Sequence, residues 1–331
     1  MMRTIVTVTI MVLLMAGCGS SKNTKVPEVP RPGWVDGRPY DPANYSGIGI
    51  VRKWGSPANY QSEAREKALA DMAAQINTHI STTSVLHQIE NKQGVSEMLT
   101  SQTKASSKEF LEGYEQVGEW QDETTFCVYY KLSKQKFASL KEQRRQTAMV
   151  NAQARFAEAD QQNQANQCIN AMKLYASSLE ALRDYLGESN ITETPQGTID
   201  VAIQSLKQLK ALIADLRIIA ITPQVNARTN QVIPEDQLTF AVSTANGVPQ
   251  TNVPVAFSYS GGFLRTDTKL SDANGQAGTA IHLTNTGQGT QTLCAKIDVV
   301  NLSRQLTRDL LVRKLVEETA ANSACTSIKI E

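Results

Sequence analysis

Hydrophobic and polar positions change their spacing several times along the chain, and each change marks an element. The first run, Ile5 to Met15, is mostly apolar and follows Arg3. Crossing a bilayer takes roughly 20 apolar residues, so this shorter run suits the core of a secretory signal instead. Residues 19–33 (GSSKNTKVPEVPRPG) hold three prolines and almost nothing to bury, which reads as a semi-extended tether. The stretch NYSGIGIVRKW (44–54) then alternates as a strand does, with glycines where another element must come close.

A helix of unusual composition follows. In SEAREKALADMAAQI (62–76) five of fifteen residues are alanine. Ala64, Ala68, Leu69, Met72, Ala73, Ile76 and Ile80 fall on one stripe at helical spacing, and Asn59 or Ser62 is placed to cap the start. An alanine stripe lets a helix axis lie close to a sheet, and Gly47 and Gly49 remove side chains from the facing strand. THISTTSVLHQI (78–89) turns β-rich, while MLTSQTKASSKEFL (98–111) fits helix and strand equally. GYEQVGEW and TTFCVYYKL, joined across Gln121–Glu123, form a hairpin pattern. Phe126, Val128, Tyr130 and Leu132 would face one way, and Cys127, Tyr129 and Lys131 the other.

Residues 135–216 are helical and rich in polar side chains. Their first third carries few large apolar residues and reads as a long solvated arm. Cys168, Met172, Tyr175, Leu179, Leu182 and Leu186 then form one apolar seam. Ala202, Leu206, Leu209, Ile213 and Leu216 form another, with Pro195 and Gly197 between them. Two seams of this kind pair as a small antiparallel bundle. From Arg217 the pattern becomes strand and turn: RIIAITPQV, QLTFAVST, NVPVAFSYS, AGTAIHLT and TQTLCAKIDVV are separated by glycine- and asparagine-rich turns. Such spacing predicts a β-sandwich, decorated by an amphipathic helix over 304–319 before a final strand, CTSIKIE.

Charge changes the picture by what it excludes. The chain has 33 Lys+Arg against 32 Asp+Glu, and losing residues 1–17 removes Arg3 alone, leaving 32 against 32. A neutral chain lacks the electrostatic footprint of nucleic-acid binding. Besides Cys18 there are Cys127, Cys168, Cys294 and Cys325. In an oxidising compartment four cysteines can pair in three ways. Pairing within modules favours Cys294 with Cys325, which would leave Cys127 and Cys168 as the second pair; four free thiols are the alternative.

The chemistry that can be sought by motif is sparse. His79, His87 and His282 stand in separate contexts, and no metal-spaced cysteine pair, nucleophile elbow or phosphate-binding loop occurs. Neither cofactor nor metal is expected. Asp272-Ala273-Asn274-Gly275 lacks the further oxygen ligands of a calcium loop and reads as a type I′-like turn. Trp34, Trp54, Trp120 and Tyr60, with Tyr40 and Tyr45, either line a groove for glycan or peptide or close the rim of a small core.

Three resemblances join these pieces. Met15-Ala16-Gly17-Cys18 resembles the lipobox of bacterial lipoproteins, with Met where Leu is commoner; the resemblance implies cleavage before Cys18, acylation of its thiol and a membrane anchor. Gly19, where Asp would be the inner-membrane signal, implies the outer membrane. PGWVDG, YSGIGI, AREKALADMAAQI, FLEGYEQVGEW and TFCVYYKLS, in that order over residues 31–134, resemble the Lpp-twenty family of envelope lipoproteins. That family implies a small α+β domain without known catalytic residues. VPVAFSYSGG followed by Asp272, Gly275 and Ala277 resembles bacterial immunoglobulin-like domains. The expected architecture is α+β: signal 1–17, lipidated cysteine and tether 18–33, α+β domain 34–134, helical region 135–216 and immunoglobulin-like domain 217–331. The function expected is that of a non-catalytic outer-membrane lipoprotein, facing the periplasm. It would serve as scaffold or adaptor to other envelope proteins, with self-association open. The alternative is a module that binds peptidoglycan or another polysaccharide.

Overall fold

The computed structural model describes residues 30–77, 111–186, 188–194, 197–284 and 288–331. The signal, Cys18, the β-rich 78–89 segment and the ambiguous 98–111 stretch up to residue 110 therefore lie outside the described residues, as do His79, Ile80 and His87. The fold is α+β, as the alternation of spacing predicts.

A single helical turn, α1 (Gly33–Asp36), precedes β1 (Asn44–Arg52), α2 (Pro57–Asn77) and the hairpin β2 (Glu115–Gln121) and β3 (Thr125–Ser133). The three strands are antiparallel in the order β1-β3-β2. Asp122 closes the hairpin, its Oδ1 accepting the backbone N–H of Thr124 at 2.8 Å and of Thr125 at 2.7 Å. Helix α2 lies across β1 and β3. Its Ala64, Ala68, Met72, Ala73 and Ile76 share a core with Phe126, Val128, Tyr130 and Leu132, the hairpin face read from the sequence. The two β1 glycines account for the slim helix: a Cβ added at Gly47 would lie 2.0 Å from the Ala68 carbonyl oxygen, and one at Gly49 1.8 Å from that of Ala64. The helix starts earlier than Asn59 or Ser62 would place it. Pro57 occupies the first helical position, where its missing N–H costs nothing, and the Ser56 carbonyl accepts from Asn59 N at 3.0 Å.

The open edge of β1 is guarded by the same helix. The N–H of Ser46 donates to Gln75 Oε1 and that of Ile48 to Asp71 Oδ2, both at 3.1 Å. Among the described residues no strand pairs with this edge of β1, and these two side chains bind part of what would otherwise invite pairing.

Ser133 caps α3 (Lys134–Gln164), accepting from Lys136 N at 3.3 Å. This helix is not the solvated arm its sequence suggests. Phe137 packs into the first core, against Tyr45, while Met149, Ala152 and Ala159 are buried in a second core against α4 (Cys168–Ala181). A face of Ala and Met packs closely without a conspicuous apolar stripe. Ahead of α5 (Val201–Asp215) comes a short hairpin, β4 (Ile191–Thr194) with β5 (Gly197–Asp200). Hydroxyls tie the three helices together: Ser178 of α4 donates to the Ala152 carbonyl of α3, and Ser205 of α5 donates to Ser178, each at 3.0 Å.

The β-sandwich begins one residue after α5. Strands β6 (Arg217–Ala220), β7 (Gln224–Ala227), β8 (Val232–Ile233), β9 (Thr239–Ser243), β10 (Pro254–Tyr259), β11 (Thr268–Leu270), β12 (Gln276–Gly278), β13 (Ile281–His282), β14 (Gly289–Ile297) and β15 (Ser323–Ile330) make two main layers. Their orders are β11-β10-β14-β15-β7 and β12-β9-β6, with β8 and β13 paired apart. RIIAITPQV is not one strand: β6 joins the smaller sheet, and after Pro223 β7 crosses to run parallel to β15. Between β14 and β15 stand α6 (Val299–Leu306) and α7 (Leu310–Glu317), two helices where the sequence predicts one. Asp309 restarts the helix by accepting from Val312 N at 2.9 Å, and Thr307 holds the joint by accepting from Asp309 N at 2.9 Å. The helical layer and the sandwich share one continuous core, from Met149 through Leu209 and Phe240 to Ile330.

Candidate functional site

The four aromatics expected to share a surface divide between the two faces of the first sheet. Trp120 of β2 is buried with Val35 and Cys127, and Trp34 of α1 packs on this group, its ring 5.5 Å from Tyr129. The Arg31 guanidinium stands 5.2 Å from the Trp120 ring. Tyr60 lies on the helix side, 5.4 Å from Phe126. Trp54 stands in the loop after β1 and is 73% exposed. Only Trp34 and Trp120 come together, and they close the rim of a small core; the four residues do not line one groove. Tyr45 likewise packs against the helix-side core, and Tyr40 is fully exposed to solvent.

Cysteine chemistry divides in the same way. Cys294 and Cys325, directly opposed on β14 and β15, are joined with an S–S distance of 2.05 Å. The Cys127–Cys168 pairing is incorrect: both thiols are free and buried, Cys127 under the first sheet and Cys168 in the core of the helical layer. Two separate cores hold them, so no bridge is geometrically open. Burial raises both thiols, Cys168 to about 12, which leaves them inert as nucleophiles at neutral pH.

The charged groups are arranged as structural pairs. Asp41 is lowered to about 2, first by its hydrogen bond from Lys131 and then by that from Asn44. Glu142 is lowered to about 2 by Arg145 and Gln146. Lys67 lowers Glu63, with a smaller contribution from a hydrogen bond with Trp54. Burial raises Tyr175, which also donates to Asp160. Wherever the surroundings of a described residue move its pKa appreciably, they move it away from neutrality. General acid–base catalysis needs the opposite, groups poised near the working pH. Among the described residues no three His, Cys, Asp or Glu side chains are grouped to hold a metal. His282 sits exposed on the short strand β13. The Asp272 carboxylate is occupied by its own turn, Oδ1 accepting from Asn274 N at 2.9 Å and Gln276 N at 2.8 Å. Of this turn only Gly275 has positive φ, at +73°, which makes it a type I turn closed by a left-handed glycine and not type I′.

A roomy opening lies elsewhere. It is a cleft of about 600 Å³ between the α3–α4 turn and the loop joining β9 to β10. Sequence reasoning missed it because its residues come from two modules. The local signal was the amide-rich run QQNQANQCIN, residues 161–170.

No protein-family model matches the chain, and no curated protein matches it. Among solved structures it is similar to the D00-D0 domain of Intimin, at 21% identity and a TM-score of 0.23 over 36% of this chain and 50% of that one. It is similar also to the D0-D1 domain of Intimin, at 21% identity and a TM-score of 0.21 over 34% and 47%. The chain thus spans about half the length of these solved chains. Among the described residues no helix is long and apolar enough to cross a membrane.

Proposed function

We propose that the protein is a non-catalytic lipoprotein of the bacterial outer membrane that acts as a scaffold or adaptor in an envelope assembly. Acyl chains on Cys18 would hold it, since several chains anchor where one binds only marginally. Residues 19–33 would set the folded part off the membrane. The observation that carries the non-catalytic reading is the direction of the pKa shifts: carboxylates fall, while thiols, phenols and cations rise. The shifted carboxylates are thus held charged and the buried thiols and phenols neutral, within surfaces built on packed cores. The Lpp-twenty resemblance of residues 31–134 and the immunoglobulin-like sandwich both suit contact with other proteins. Affinity purification from detergent-solubilised envelopes tests this. The expected outcome is a reproducible, stoichiometric partner protein. Recovery of the chain alone, together with retention on purified peptidoglycan sacculi, would favour the polysaccharide-binding alternative.

A further inference from the structure

The cleft between the helical layer and the sandwich combines side-chain amides with a mainly apolar wall. Six of its twelve lining residues carry primary amides: Asn166, Gln167, Asn170, Gln250, Asn252 and Gln305. Among the described residues no carboxylate lines it, and Lys173 brings the one charge. Its volume of about 600 Å³ falls within the range of roughly 300–1,000 Å³ usual for small-molecule sites.

Those residues select by chemistry. A side-chain amide offers donors and an acceptor within one planar group, which matches neighbouring sugar hydroxyls, each able to donate and accept. A calcium ion would need carboxylates or a cage of oxygens. A phosphorylated ligand would call for paired cations or an arginine fork. A purely hydrophobic ligand would leave the amides in the lining without partners. Apolar atoms, among them those of Ile169, Pro249 and Leu270, make up most of the exposed wall and suit the C–H faces of sugar rings. We propose that this cleft binds a short segment of a neutral carbohydrate.

Hydrogen bonds hold the backbone of the sandwich wall, where the Gln250 amide itself donates to the Val248 carbonyl at 3.2 Å. On the sandwich side, Asn252 N donates to the Ser271 carbonyl at 2.8 Å, Ser271 Oγ donates to the Gln250 carbonyl at 2.6 Å, and Val253 N donates to Ser271 Oγ at 2.9 Å. On the helical side, Asn170 Nδ2 donates to Gln167 Oε1 at 2.8 Å, which orients both amides. Asn166 and Asn252 hold left-handed backbone positions, with φ of 59° and 61°. Glycine would relieve each turn; asparagine tolerates it and adds an amide to the lining. A preorganised polar lining lowers the ordering cost of binding.

Isothermal titration of the full mature chain in detergent micelles tests this, with maltotriose, cellotriose, triacetylchitotriose and inorganic phosphate as probes. At least one trisaccharide is expected to bind saturably, and which one distinguishes a glucan source from an N-acetylated one. Asn170→Ala and Asn252→Gly, the second preserving the left-handed turn, should each weaken that binding roughly fivefold or more, the equivalent of one lost hydrogen bond. Trp54→Ala should leave it unchanged, and thermal melts of the variants should match the parent. Absence of saturable binding by all three trisaccharides would overturn the proposal. Equal affinity in both cleft variants, or preference for phosphate, would do the same.

Discussion

At the scale of single residues, the closest constraint is the contact between β1 and α2. A methyl group at Gly49 meets the Ala64 carbonyl oxygen, a backbone atom that cannot swing aside. Gly49→Ala is therefore expected to destabilise the first module by about 1–3 kcal/mol, the usual cost of overpacking. Gly33→Ala, where an added Cβ has nothing within 4 Å, should cost little. Urea denaturation of the two variants checks this. Acid sensitivity is also set by individual groups. Asp41 has a folded pKa of about 2 against an ordinary 3.8, so what its ionisation contributes to stability is present above pH 3.8 and is lost as pH falls through about 2. Lys131→Met should return the Asp41 pKa towards 3.8, followed by NMR titration of its carboxyl carbon. These residue-level roles were only partly legible. Gly47 and Gly49 stood out because alternation with Ile leaves few other reasons for two strand glycines. The guards of the β1 edge, Asp71 and Gln75, looked like ordinary polar residues on the solvent side of a helix.

At the scale of elements, legibility followed how much each element carries in its own sequence. The α2 stripe and the β2–β3 hairpin were readable because one face of each is apolar at the period of its backbone. The β4–β5 hairpin was not, since its four-residue strands form a sheet of two among the described residues and Ile191 faces solvent. Helix α3 was misread because its few large packing residues, Phe137, Met149 and Phe156, are widely spaced and alanines fill the rest of the buried face. The α6–α7 break was missed because Asp309 looks the same in a helix as at a helix start. The bridge between β14 and β15 was suggested by cysteines sharing a module. It closes a loop of 31 residues that contains α6 and α7, which by chain-entropy reasoning stabilises by roughly 3–4 kcal/mol. Paired Cys294→Ala and Cys325→Ala substitutions should lower the melting temperature, measured by circular dichroism, by at least several degrees. An unchanged melt would mean that the β14–β15 ladder suffices without the bond.

At the scale of the whole molecule, the division into a helical region and a sandwich dissolves into one core. Leu209 and Ile213 of α5 lie in the same apolar cluster as Leu311 and Leu315 of α7 and Phe240 of β9. No local pattern announces such sharing, because each segment needs only an apolar face and the partner is chosen by topology. The amide-lined cleft arises at this junction and was invisible for the same reason. The candidate aromatic surface, conversely, was proposed by composition and separated by the pleat: Trp120 and Phe126, six residues apart, lie on opposite faces of one sheet.

The central claim is a folded chain of rigid contact surfaces held to the outer membrane through Cys18. Intact-mass measurement of the protein purified from outer-membrane fractions tests it most directly. The account predicts a mature chain that begins at Cys18 and carries the added mass of its acyl groups. A mature chain of unmodified mass, or one that retains Arg3, would contradict it.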